Sequence, residues 1–130
     1  MAENVQLKVA SLLGILLFTI HLTDDIIRGM SPGTLMDVNG ILIMVLWLYG
    51  TLMLAGRRSG YILTLLGGLF AFAMPLIHMR GLGVGVGTKT AEYAAGFRFI
   101  WVLLAIGVTG AFSFLLSVRG LWSLRKRQAP

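Results

Sequence analysis

Four long apolar runs, separated by only a few polar or turn-forming residues, decide what this chain can fold into. They are placed at about 6–27, 35–55, 60–79 and 94–118. Each approaches the roughly 20 residues with which an α-helix crosses about 30 Å of hydrocarbon. Inside lipid every backbone donor and acceptor needs a partner, and a helix supplies that within the segment. Outer-membrane strands would alternate at every second residue, and these runs do not. The expected fold is therefore all-α: an integral membrane four-helix bundle, with residues 1–130 forming a single transmembrane domain.

Composition excludes the alternatives. Of the 130 residues, 57% are hydrophobic and 12% charged, with a mean hydropathy of +0.87. A soluble domain of that length cannot bury so much apolar surface. The net charge of +6 does not indicate nucleic acid, because the charges lie between and beyond the apolar runs. There is no cysteine, hence no disulfide, thiolate metal site or cysteine nucleophile. The first run follows Lys8 in the manner of a signal peptide. His21, Asp24, Asp25 and Arg28 then follow without a small-x-small cleavage site, so a retained helix is expected.

Short connections set the topology. Ser31-Pro32-Gly33 and Gly56-Arg57-Arg58-Ser59 read as turns, which makes neighbouring helices antiparallel in an up-down bundle. Lys8, Arg57, Arg58, Arg119, Arg125, Lys126 and Arg127 fall on one side; Arg28, Arg80, Lys89 and Arg98 fall on the other. The positive-inside rule puts both termini in the cytoplasm, with a plasma or bacterial inner membrane as the expected location. Gly81–Gly87 reads GLGVGVG but lacks the Lys-Ser/Thr of a phosphate loop, so no nucleotide is expected. The lipid bilayer is the first partner. Four helices enclose little space alone, so a homo-oligomer or a larger membrane complex is expected as well.

The first run carries the chemistry. Only Val9 to Ile20 is free of strongly polar residues, about 18 Å of helix. With Lys8 at the inner edge, His21 stands about 20 Å up. His21 and Asp25 are four apart and share a face with Gly14 and Phe18; Asp24 flanks them. In the third run Gly67, Ala71, Pro75 and His78 fall on one line, a small-residue seam topped by the second histidine. Asp37, Glu92 and Arg98 lie toward the same end.

The candidate ligand- or ion-binding residues are thus His21, Asp24, Asp25, His78, Glu92 and Arg98, gathered around an outward-facing mouth. His21, Asp25, His78 and Glu92 have the ligand chemistry for a transition-metal ion such as zinc, iron or manganese. A small transporter or channel component with an outward-side site for a cation, proton or small polar substrate is the first functional expectation. A metal-dependent membrane enzyme or redox subunit using the same cluster is the second, and a structural or regulatory subunit of a larger complex the third. The competing structural reading pairs Asp24 or Asp25 with Arg28 or Arg98, and has His78 donate to a carbonyl loosened by Pro75. Ser113 and Ser117 share a face of the fourth helix far from either histidine, which gives no Ser-His-Asp arrangement.

Overall fold

A computed structural model describes residues 2–27, 29, 35–79 and 96–128. The described residues form four helices: α1 (Ala2–Ile27), α2 (Leu35–Leu52), α3 (Arg58–Met79) and α4 (Gly96–Gln128). Three contain stretches long and apolar enough to cross a membrane, namely Val5–Ile27, Arg58–His78 and Phe99–Arg127. The apolar part of α2, Asp37–Leu52, is shorter. The second run was expected to reach Ala55, but the helix ends at Leu52. The chain then turns through Gly56 at φ 78°, where the Arg57 N–H donates to the Leu54 carbonyl at 3.0 Å. Only glycine adopts that left-handed conformation at little cost. The fourth helix departs in the other direction. It runs ten residues past Val118, and its 33 residues reach about 50 Å, well beyond a hydrocarbon core.

Cross-helix contacts fix an antiparallel up-down order. Ser11 meets Ser113 while His21 meets Phe99, so α1 and α4 run oppositely. Thr64 meets Ser117 and Pro75 lies against Gly107, so α3 and α4 do too. Between α1 and α2, Thr19 donates to the Met44 sulfur at 3.5 Å, and Leu22 approaches Gly40. The most extensive contact is α3 with α4. A Cβ at Gly110 would stand 2.6 Å from the Phe72 nitrogen and 2.7 Å from the Gly68 carbonyl oxygen. The two backbones touch there, which only glycine permits.

Trp47 fills the middle. It is 1% exposed, and its ring lies where side chains at Gly14 of α1 and Gly67 of α3 would otherwise stand. Phe18, Ala71 and Ile106 complete this apolar layer.

The polarity of the bundle is inverted relative to a soluble protein. Ser11, Thr64, Ser113 and Ser117 are at most 1% exposed, while Leu16, Leu42, Leu66, Phe72, Val108 and Phe112 lie on the exterior. The buried hydroxyls are satisfied across helices, Ser11 with Ser113 at 3.2 Å and Thr64 with Ser117 at 2.8 Å. Others bond back one turn. Thr19 donates to Ile15, Thr51 to Trp47 and Thr109 to Ala105, at 2.8 Å each, so no buried hydroxyl among the described residues is left without a partner.

Candidate metal centre

Every third or fourth residue of α1 from Leu7 onward turns inward: Leu7, Ser11, Gly14, Phe18, His21 and Asp25 are all buried. This seven-residue repeat of a packed helix delivers His21 and Asp25 to the interior one turn apart. On α3 the Gly67–Ala71–Pro75 face is likewise buried, and His78 continues it at the end of the helix. Since α1 and α3 run in the same direction, the two histidines arrive at the same level.

There they meet. The His21 and His78 Nε2 atoms are 3.3 Å apart. Asp25 Oδ2 lies 3.4 Å from His21 Nε2 and 3.9 Å from His78 Nε2. Their side chains are 3%, 10% and 10% exposed for His21, Asp25 and His78. The three residues form a group able to hold a metal ion. A point equidistant from the three donor atoms lies about 2.1 Å from each, within the range of zinc–nitrogen and zinc–carboxylate bonds.

The tautomer of His78 is set by its surroundings. Its Nδ1 is 3.0 Å from the Met74 carbonyl, which only accepts, so Nδ1 carries the proton. Neutral His78 therefore presents an Nε2 lone pair to His21 Nε2. Two lone pairs at that separation repel, so a proton or a cation has to sit between the nitrogens. A histidine whose other nitrogen donates to a backbone carbonyl is the usual form of a metal ligand. The carbonyl is Met74's and not the Ala71 carbonyl that Pro75 releases, which differs from the sequence expectation.

Aromatic rings close the site. Phe99 packs against His21 with centroids 5.3 Å apart and against His78 at 6.3 Å. Phe18 meets the His21 ring edge-on at 6.4 Å. Phe99, the buried residue at the start of α4, was not singled out from the sequence. An apolar residue at the head of an apolar run carries no local sign that it covers a polar cluster.

This enclosure corrects the outward-facing reading. The cluster is packed inside the bundle and does not line an open mouth, because the α1 repeat directs His21 and Asp25 inward and Phe99 covers them. The expectation of a transporter or channel with an outward-side site therefore falls. Of the six site residues, His21, Asp25 and His78 come together. Asp24 is half-buried beside them and lines a small cavity with Ile20, His21, Phe99 and Val102. Glu92 lies outside the described residues, as does the Gly81–Gly87 stretch; Arg98 falls in the first turn of α4, with its side chain also outside them.

Comparison with known protein families, characterised proteins and solved structures finds no match for this chain. Its function is therefore argued from the site.

Proposed function

We propose that this chain is an integral membrane protein whose helical bundle binds one divalent transition-metal ion, of the zinc or iron(II) class, through His21 Nε2, His78 Nε2 and a carboxylate oxygen of Asp25. One observation carries the reading: three donors from two helices converge at bonding distance from a common point, in an enclosure walled by Phe18 and Phe99. Two imidazoles and one carboxylate form a donor set suited to zinc and to non-haem iron(II), and a poor one for calcium or magnesium, which prefer oxygen. Bound metal would join α1 to α3, whose direct contact is otherwise slight.

The apolar exterior supports burial in a bilayer, and the basic residues at Lys8, Arg57, Arg58 and the end of α4 support cytoplasmic termini. The binding test uses the full chain purified in detergent and stripped with chelator. Titration with cobalt(II), followed by its ligand-field absorption, is expected to saturate at one ion per chain, and zinc is expected to displace it. His21→Ala and His78→Ala are expected to lose at least about 100-fold in affinity, more than the typical 10–100-fold cost of altering a supporting residue. A wild-type chain that takes up no stoichiometric metal, or alanine variants that bind as well as wild type, would overturn the reading.

A further inference from the structure

The two histidines are supported differently. His78 Nδ1 is held by the Met74 carbonyl. His21 uses Nε2 for both of its polar contacts, toward His78 and toward Asp25. Among the described residues no group accepts a hydrogen bond from His21 Nδ1. When Nε2 binds a metal, the single proton of neutral imidazole has to reside on Nδ1, and that N–H then needs an acceptor.

The cavity beside His21 offers one. It measures about 20 Å³, room for one water, and is lined by Ile20, His21, Asp24, Phe99 and Val102. Ile20, Phe99 and Val102 give it apolar walls, and Asp24 is its one acidic residue. The Asp24 carboxylate is also close enough to act electrostatically on the His21 ring. As the residue three positions after His21, it lies on a different line of the helix from Asp25.

We propose that Asp24 is the positioning residue of the metal centre: through a water in this cavity it accepts the Nδ1 proton of His21 as a hydrogen bond, fixing the ring with Nε2 toward the ion. This rests on the metal-binding reading above and assigns Asp24 outside the ligand set. The proton balance follows. Before binding, His21 Nε2–H faces the His78 lone pair. A bound ion would take the Nε2 lone pair in place of that proton, which passes to solvent, while Nδ1 takes one proton from solvent through the cavity water, so the release and the uptake cancel. His21 thereby becomes a ligand without a net change in its proton count.

The experiment compares wild type, Asp24→Asn and Asp24→Glu as full-length protein. Cobalt(II) titration is expected to keep one ion per chain in all three, with affinity falling 10- to 100-fold in Asp24→Asn and largely restored in Asp24→Glu. The spectroscopic readout is nitrogen NMR of the zinc-loaded, ¹⁵N-histidine-labelled protein. The His21 Nδ1 resonance is expected to move in Asp24→Asn, while His78 Nδ1, bonded to Met74, stays. Failure of wild type to bind metal would remove the underlying reading. Wild-type binding with unchanged affinity and an unmoved His21 resonance in Asp24→Asn would overturn the role of Asp24 alone. Equal movement of both histidine resonances would also overturn it, as the mark of a general structural change.

Discussion

His21 and His78, 57 residues apart in the chain, bring their Nε2 atoms to 3.3 Å. The separation is a consequence of register. Gly14 clears space for the far edge of the Trp47 ring and Gly67 for its near end, so the two glycines are offset along the bundle, and the histidines standing seven and eleven residues further on, about 10 and 16 Å of helix, come to one level. Both are multiples close to whole turns, so the rings keep the facing direction of the glycines beneath them. A tryptophan wedge below thus determines a polar meeting above.

Metal binding is expected to stabilise the fold. An ion that binds only the folded state adds about 2.7 kcal/mol when present at 100 times its dissociation constant. Thermal unfolding of the detergent-solubilised chain, followed by circular dichroism, should shift upward with zinc and return on adding chelator. Asp25→Asn keeps shape while removing charge, and should reduce the shift without abolishing helix formation. An identical zinc-induced shift in His21→Ala/His78→Ala would show that the ion acts elsewhere.

The contact between α3 and α4 should be intolerant of a single methyl. Gly110→Ala places a Cβ 2.6 Å from the Phe72 nitrogen and 2.7 Å from the Gly68 carbonyl oxygen, and backbone atoms cannot swing aside. Overpacking of this kind costs about 1–3 kcal/mol. Gly40→Ala is the matched control. Its nearest neighbour is the flexible end of Leu22 at 3.8 Å, so it should be neutral or gain up to about 1 kcal/mol from helix propensity. Comparable unfolding temperatures for the two variants would contradict the close approach of these helices.

Much of this arrangement was legible in the sequence. The shared face of Gly14, Phe18, His21 and Asp25 follows from spacing alone, and so does the Gly67–Ala71–Pro75–His78 line. What spacing does not encode is depth relative to the neighbouring helix. His21 at the end of an apolar run reads equally well as the rim of a mouth or as the top of a core; Phe99, contributed by a helix far along the chain, makes it the second. Spacing also separates Asp25 from Asp24, since adjacent residues differ by about 100° around a helix and Asp25 falls on the face of Gly14, Phe18 and His21 while Asp24 flanks it. The end of α4 was hidden by its charge. Arg125-Lys126-Arg127 reads as a tail leaving the membrane, yet strong helix formers continue the helix to Gln128.

The buried hydroxyl pairs lend themselves to a double-mutant cycle. Ser11 and Ser113 are both fully buried and bonded at 3.2 Å, so removing either one strands the other. Ser11→Ala and Ser113→Ala should each destabilise, and the double variant should cost less than their sum. The coupling energy is expected near 0.6 kcal/mol and below about 1.7 kcal/mol, the range found for interhelical hydrogen bonds in membranes. Strict additivity would mean that the two hydroxyls do not meet in solution.

Depth in the bilayer can be read from the three tryptophans. Trp101 and Trp122 are both on α4 and both exposed, at 61% and 64%, while Trp47 is enclosed. Trp101 and Trp122 are 21 positions apart, about 32 Å of helix, close to the thickness of a hydrocarbon core, which suits rings placed at its two boundaries. Lys126 suits a boundary position for Trp122: its Nζ lies 5.4 Å from the Trp122 ring, a cation over an aromatic face. Variants retaining one tryptophan each, reconstituted into vesicles, should show Trp101 and Trp122 quenched most by lipids brominated near the headgroup. Trp47 should respond weakly to any of them. Strong quenching of Trp122 by bromine at the acyl-chain end would place the basic end of α4 inside the hydrocarbon. That would require a different insertion from the one the charges imply.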